Sequence, residues 1–272
     1  MKKIVHISDL HFGTEDERVL NSLIFDITNT SPNLIAVSGD LTQRARTKEY
    51  LKARSFLEHL KFPQVIIPGN HDIPLYNLLG RITNPFNKFD TYFDKELREY
   101  NDDQLYVIGL NSVRNLRWKS GKLSSEQLEI GTTEFGESDK NIVRILVIHH
   151  NLFHISSRRN AVKLFKSKLL RGWLMENRID LVLFGHDHKS MIEPVFFDDD
   201  KFIDFILLQA GTATSKRTRG VPNSYNIIIF DNSLMNVMVR TFNTNRFETT
   251  LEAKFIKKTI GWEKQSENHY QY

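Results

Sequence analysis

The 272-residue sequence has no cysteine, no internal repeat and no long apolar run. Without cysteine there are no disulfides and no thiolate ligands, so nitrogen and oxygen atoms must hold any metal ion. A membrane-spanning helix needs about 20 consecutive apolar residues, and no stretch provides them. Near the N-terminus the apolar residues are interrupted by His6 and Asp9, so no signal peptide is expected. We therefore expect a cytoplasmic protein with no membrane partner.

The net charge of +4 is small and spread along the chain. It is compatible with an anionic substrate or with nucleic acid, but so diffuse a charge does not favour nucleic acid as the partner. Nothing in the composition indicates a linker between domains. We predict one domain over residues 1–262 and a frayed polar tail over residues 263–272. The sequence does not indicate an oligomeric state.

Short apolar runs recur along the chain, and helical patterns lie between the earlier ones. Strands are predicted at residues 3–8, 33–38, 64–68, 105–110, 143–148, 180–184, 205–209, 225–230 and 235–242. Helices are predicted around 20–27, over 47–60, from the capping sequence at 124–127 onwards, and over 164–173. This alternation indicates an α/β fold with an antiparallel run near the C-terminus. Residues 74–103 break the pattern and are rich in aromatic residues, so they could form a lid or a structural excursion.

Side chains that can bind metals follow five of the predicted strands. They are Asp9 and His11, Asp40, Asn70 and His71, His149 and His150, and His186 and His188. In open α/β sheets, ligands bind beyond the carboxyl ends of the strands, which is where all of these residues lie. Residues two apart in an extended chain point the same way, so Asp9 and His11 should face one point. The glycines at positions 39, 69 and 185 should let the backbone turn there.

This set offers two carboxylates, one amide and at least three imidazoles, which is too many ligands for one four-coordinate ion. It suits two divalent ions about 3.5–4 Å apart that share a carboxylate. Such a pair activates a bridging hydroxide and stabilises a phosphoryl displacement. Nitrogen and oxygen ligands do not distinguish between Mn, Fe, Zn and Co. His149 and His150 remain alternatives for one ligand position.

These motifs, in this order, resemble those of the calcineurin-like metallophosphoesterase superfamily, and most of all its class III cyclic nucleotide phosphodiesterase branch. The matching segments are ISDLHFG, GDLTQRA, PGNHD, VIHHNLF and GHDH, followed by LLQAGTATSKRTRG and NSYNIII. The resemblance implies a four-layer α/β/β/α sandwich of two mixed sheets flanked by helices. The metals would lie between the two sheets at one edge.

The resemblance also implies a role for each candidate residue. The first ion would be held by Asp9, His11, Asp40 and His188, and the second by Asp40, Asn70, His149 and His186. Asp40 would bridge the two ions. His71 would stay off the metals and protonate or stabilise the leaving oxygen. Arg44 and His150 are candidate substrate contacts.

We therefore expect a dinuclear metal-dependent phosphodiesterase that acts on a small phosphodiester such as a 3′,5′-cyclic nucleotide. Gln43 and Ala45 stand where the phosphoprotein phosphatase branch has aspartate and glycine, which argues against that activity. Two alternatives are a metal-dependent nuclease and a non-catalytic scaffold of the same fold.

Overall fold

The computed structural model describes residues 1–74, 78–115, 120–136, 142–154, 164–165, 168–196 and 202–270. The helices in these ranges are α1 (Glu17–Thr30), α2 (Thr47–Leu60), α3 (Leu78–Thr83), α4 (Asn87–Tyr92), α5 (Ser125–Gly136) and α6 (Lys168–Glu176). The strands are β1 (Lys2–Ile7), β2 (Leu34–Val37), β3 (Gln64–Ile66), β4 (Glu99–Asn101), β5 (Leu105–Gly109), β6 (Val143–Val147), β7 (Phe153–His154), β8 (Leu164–Phe165), β9 (Leu181–Phe184), β10 (Met191–Val195), β11 (Phe205–Gln209), β12 (Ser224–Asp231), β13 (Leu234–Asn243), β14 (Arg246–Lys257) and β15 (Trp262–His269). None of the described helices is long and apolar enough to cross a membrane.

The strands form two large sheets and a short ribbon of β7 and β8. The first sheet has the order β15-β14-β13-β12-β1-β2-β3, and the second has the order β10-β11-β9-β6-β5-β4. Strands β1, β2 and β3 are parallel to one another, whereas β12 to β15 follow in antiparallel pairs. In the second sheet β5, β6, β9 and β11 are parallel. The parallel strands read as continuous apolar runs because both of their faces are covered.

Three apolar layers hold the molecule together. Leu23 of α1 and Leu57 of α2 pack against one face of the first sheet. The layer between the two sheets includes Leu34 and Leu183, and a third layer packs Trp173 of α6 against the second sheet. The order is therefore helix, sheet, sheet, helix, which confirms the four-layer α/β/β/α sandwich.

Local signals in the sequence account for the helix starts. The Asp16 carboxylate caps α1 by accepting the main-chain N–H of Arg18 at 2.9 Å. At α5 the N–H of Gln127 donates to the Ser124 hydroxyl at 3.3 Å, and the N–H of Ser124 donates to the Gln127 side chain at 3.0 Å. This reciprocal pair is the capping box that the sequence predicts. It sets the start of α5 at Ser125.

The prediction of a frayed tail over 263–272 is wrong for the residues that the structure describes there. Residues Trp262–His269 form β15, which pairs with β14 at the edge of the first sheet. Trp262 is buried, and most of the strand beyond it is exposed. An edge strand needs only its main chain to pair, and its charged side chains protect the edge from other chains. The polar composition therefore concealed a strand.

Two further predictions need correction. The last predicted helix begins at Lys168, because Leu164 and Phe165 belong to β8 and pair with β7. The segment 74–103 contains α3, α4, a 3₁₀ turn and β4. Phe89 and Phe93 are buried in the first apolar layer, so these aromatic residues serve packing. A lid function for the segment stays a prediction, and Tyr76 lies outside the described residues.

Candidate metal centre

The carboxyl ends of five parallel strands meet at one edge of the sandwich. Strands β1, β2 and β3 arrive from the first sheet, and β6 and β9 arrive from the second. Two hydrogen bonds show that the sheets meet there. The N–H of His186 donates to Asp9 Oδ2 at 2.9 Å, and His149 Nε2 lies 3.1 Å from Asn70 Oδ1. The structure thus brings together the candidate side chains that the sequence placed at strand ends.

A first group of ligand atoms consists of Asp9, His11 and His188. His188 Nε2 lies 3.2 Å from Asp9 Oδ1, and His11 Nε2 lies 3.6 Å from the same oxygen. The two imidazole nitrogens are 3.1 Å apart. Asp40 Oδ2 is 3.8 Å from His11 Nε2, so the second carboxylate borders this group.

A second group lies on the other side of Asp40. His149 Nε2 is 3.4 Å from Asp40 Oδ2. The Asn70 amide oxygen faces both His149 Nε2, at 3.1 Å, and His186 Nδ1, at 3.0 Å. Asp40 is therefore the carboxylate that both groups share.

The chemistry of these donors fits divalent metal ions. Asp9 and Asp40 are carboxylates with 0% and 2% of their surface exposed. Asp9 Oδ1 has no hydrogen-bond donor among the described residues. A buried carboxylate is costly unless a cation or donors compensate it. The ligand atoms of Asp9, Asp40 and His149 all lie within 4.8 Å of one another. Such a set of convergent nitrogen and oxygen atoms suits a divalent metal ion.

The charges of the site are strongly coupled. Burial opposes ionisation of Asp40, but the attraction of His149 and neighbouring histidines holds the pKa of that carboxyl well below its usual range. Burial also opposes protonation of His149, yet the charge of Asp40 outweighs it and raises the pKa of His149 to about 9. Burial, followed by the repulsion of His149, lowers the pKa of His186 to about 4. At neutral pH a proton on His149 therefore sits where a divalent ion would place its charge.

The backbone of the candidate ligands is unusual. Left-handed φ angles occur at Asp9 (52°), His11 (48°), Asp40 (54°), His186 (77°) and His188 (61°). Each such residue costs on the order of 1–3 kcal/mol, and such strain is typical of functional sites. The prediction that Asp9 and His11 converge through an extended chain is therefore wrong about the backbone. Their side chains meet because the chain turns at each of them.

The three glycines of the site act differently from one another. Gly39 has a φ of 90°, so its conformation favours glycine, as the sequence predicts. Gly69 and Gly185 do not have positive φ angles and are needed for space. A Cβ atom at position 69 would lie 2.1 Å from Asp40 Oδ1, and one at position 185 would lie 1.8 Å from the Ser8 hydroxyl. A side chain at position 69 would clash with Asp40, and one at position 185 would clash with Ser8 and Asp9.

His71 lies beside the ligand groups, with its ring centre 4.8 Å from that of His11. Its Nδ1 is 2.8 Å from the main-chain oxygen of Gln43. A carbonyl can only accept a hydrogen bond, so Nδ1 carries the hydrogen, and Nε2 takes no part in this contact. The main-chain N–H of His71 donates to Asp40 Oδ1 at 2.8 Å, which fixes the ring relative to the shared carboxylate.

The structure places the two candidate substrate contacts differently. His150 is buried, with Nδ1 3.1 Å from the Ser112 hydroxyl and its ring centre 4.7 Å from that of His186. Arg44 is exposed, and its main-chain N–H donates to the Glu49 carboxylate at 2.7 Å. His150 thus borders the second ligand group, while Arg44 lies at the surface beside Gln43.

Two residues outside the candidate set also shape the site. The buried Asp72 carboxylate accepts N–H groups from Leu41 at 3.0 Å and Gly69 at 2.9 Å, and so ties the loops after β2 and β3 together. Burial, with repulsion from Asp40, raises the pKa of Asp72 to about 6. Ser112 follows β5, and its hydroxyl accepts the N–H groups of His149 and His150. The adjacent polar residues Asn111 and Ser112, which follow β5, are the sequence feature that could have indicated a role for Ser112.

The fold and the donor set are those of a metal-dependent hydrolase. Residues 2–190 match the family model described as calcineurin-like phosphoesterase, and the chain belongs to that family. It is 27% identical over 203 residues to a probable cyclic nucleotide phosphodiesterase from Synechococcus sp., covering 70% of this chain and 74% of that relative. The resemblance seen in the motifs is thereby confirmed, and the protein is a phosphoesterase.

Solved structures share the fold at low sequence identity. A purple acid phosphatase from yellow lupin superposes with a TM-score of 0.65 at 13% identity over 91% of this chain. The match covers 52% of the lupin protein, so this chain spans about half its length. A dimetal phosphatase from Danio rerio gives a TM-score of 0.61 at 12% identity, covering 91% of this chain and 98% of that one. These likenesses support the sandwich architecture.

Proposed function

We propose that this protein is a dinuclear metal-dependent phosphodiesterase that hydrolyses a small phosphodiester such as a 3′,5′-cyclic nucleotide. The observation that carries the proposal is the position of Asp40 between the two ligand groups. Its Oδ2 atom lies 3.8 Å from His11 Nε2 on one side and 3.4 Å from His149 Nε2 on the other. The name of the Synechococcus relative supports the substrate class.

The proposed ligands follow the two groups. Asp9, His11, Asp40 and His188 would hold the first ion, and Asp40, Asn70, His149 and His186 would hold the second. We assign His149 because its Nε2 faces both Asn70 and Asp40, although the ligand atoms of His149, His150 and His186 all lie within 4.8 Å of one another. Divalent ions bound there would lower the pKa of a water molecule and neutralise charge on the phosphate.

His71 is the proposed general acid. Its Nδ1–H is held by the Gln43 carbonyl, so donation to a substrate requires a second proton on the ring, carried by Nε2. The ring is half-buried beside His11, and its ligand atom lies within 4.8 Å of those of His11 and Asp40, so the proposal gives it the acid role in place of a metal-ligand role. Proton donation to a leaving alkoxide by a side chain fixed in this way is typical of general acid catalysis.

The preference for a diester follows from charge. A phosphomonoester carries nearly two negative charges, and sites built for it often add arginines that bind its oxygens in pairs. In the described turns after β1, β2, β3, β6 and β9, the arginines are Arg44 and Arg46, and both are exposed. A diester carries a single charge, which two ions with their hydroxide can balance. His150 and Arg44 are the proposed contacts to the rest of the substrate.

Purified protein with added Mn²⁺ tests the proposal. We expect two ions per chain and a higher kcat/KM on bis(p-nitrophenyl) phosphate than on p-nitrophenyl phosphate, with 3′,5′-cyclic AMP as the first natural diester to assay. Asp40→Asn should lose both ions and nearly all activity, whereas the exposed Asp231→Asn should keep them. A preference for the monoester would refute the diester assignment. Two ions in Asp40→Asn would refute the shared carboxylate, and a protein with neither metal nor activity would be a scaffold.

A further inference from the structure

A segment outside the family-model match contacts the backbone of the first ligand group. We name residues 212–217, which lie between β11 and β12, the threonine loop. The Thr212 hydroxyl donates to the main-chain oxygen of Asp9 at 2.6 Å, and the Thr214 hydroxyl donates to that of Leu10 at 2.6 Å. Both threonines are completely buried. Neither is among the proposed metal ligands.

The two hydroxyls hold the two peptide groups that connect Asp9 to His11. The Asp9 carbonyl belongs to the first of these peptide groups, and the Leu10 carbonyl belongs to the second. The orientation of these two peptide groups determines where the Asp9 carboxylate and the His11 imidazole point. Both residues have left-handed φ angles, which are sparsely populated for residues other than glycine. Loss of either hydroxyl removes the donor that fixes a peptide group in this strained turn.

The same loop also orients the third member of the group. His188 Nδ1 lies 2.9 Å from the main-chain oxygen of Arg217. Nδ1 therefore carries the hydrogen, and Nε2 is directed toward Asp9 and His11. The loop is itself tied to the β1 turn, since Ala213 N–H donates to the Ser8 carbonyl at 3.0 Å.

The second group is supported from elsewhere. The His149 ring contacts the Ser38 carbonyl through Nδ1 at 2.7 Å, and its main-chain N–H donates to Ser112. Within the described ranges, hydrogen bonds of the threonine loop reach neither Asn70, nor His149, nor His186. Apart from the N–H of His186, which donates to Asp9 Oδ2, the two groups are thus supported by different parts of the chain.

We infer that the threonine loop positions the first metal site alone, with Thr212 and Thr214 as positioning residues for Asp9 and His11. These threonines set the affinity of the first ion and leave that of the second unchanged. The inference rests on the proposed dinuclear function. Residues that orient metal ligands typically change metal affinity about 10–100-fold when they are replaced.

The test compares Mn²⁺ affinities by isothermal titration in two backgrounds that each retain one site. Thr212→Val and Thr214→Val keep the shape of threonine and remove the hydroxyl. In a His149→Ala background, where the first ion remains, each should weaken Mn²⁺ binding about 10–100-fold. In a His188→Ala background, where the second ion remains, neither should change it. Thr214→Ser keeps the hydroxyl and should restore most of the affinity.

Two results would overturn the inference. Equal weakening in both backgrounds would show general damage to the fold, and thermal unfolding in EDTA would then show the same loss. Unchanged affinity in the His149→Ala background would show that the hydroxyls do not position the ligands. Failure of the proposed function looks different. In that case the wild-type protein would bind fewer than two Mn²⁺ ions or would not cleave bis(p-nitrophenyl) phosphate.

Discussion

His6 makes the stability of the fold depend on pH by an amount that can be derived from its contacts. The side chain is completely buried, with Nε2 2.9 Å from the Ser38 hydroxyl. The Asn226 amide donates to His6 Nδ1 at 3.2 Å, so this nitrogen is an acceptor and the ring is neutral. A second proton would have to go on Nδ1, opposite a donor. Burial lowers the pKa of His6 to about 3.

The sign of the effect follows from linkage. In the unfolded chain a histidine has a pKa of about 6.5, so below that pH the unfolded state binds a proton that the folded state does not. Stability is therefore lost as the pH falls below about 6.5. A pH of about 5 lies about 1.5 pH units below the pKa of the unfolded histidine. Protonation of the unfolded chain therefore lowers the free energy of unfolding by about 2 kcal/mol at that pH.

Urea unfolding in EDTA at about pH 7.5 and about pH 5 measures this loss. The free energy of unfolding of the wild type should fall by about 2 kcal/mol more than that of His6→Gln, which has no titrating group at this position. Other titrating groups contribute to both proteins and cancel in the comparison. His59→Gln is the matched control, because that histidine is exposed. Identical pH dependence of wild type and His6→Gln would refute the reasoning.

Three further predictions concern the site. His71→Ala should keep both ions and lose about 10²–10⁴ in kcat, with a smaller loss on esters with good leaving groups; equal losses would contradict the acid role. Because the pKa of His149 is about 9 before metal binds, Mn²⁺ binding should release a proton and tighten as the pH rises toward 9, which titration in buffers of different ionisation enthalpy would detect. Gly185→Ala would place a methyl group 1.8 Å from the Ser8 hydroxyl and should lower the melting temperature, whereas Gly172→Ala, with nothing within 4 Å, should not.

The sequence was most informative where buried strands end. Apolar runs that stop at Asp40 or His186 mark both the strand and its polar end, and the order of these motifs carries the family resemblance that implies the sandwich and the ligand groups. The supporting contacts leave no such signal. The hydroxyls of Ser112 and Thr212 act on main-chain atoms of distant residues, and a lone serine or threonine has no periodic pattern. The carbonyl at the left-handed turn of Asp9 accepts the hydroxyl of Thr212, a residue 203 positions away, so local sequence alone predicts an extended chain instead.

The position of β1 between β2 and β12 has a consequence for the order of events during synthesis. The hydrogen bond between Thr212 and Asp9 joins residues 203 positions apart. At about 5–20 residues per second, roughly 10–40 s of translation separate the two. During that interval the nascent chain already contains Asp9 and His11 but does not yet contain the threonine loop. Full affinity at the proposed first metal site is therefore expected only after Thr212 and Thr214 have been synthesised, whereas the proposed second site does not wait for this loop.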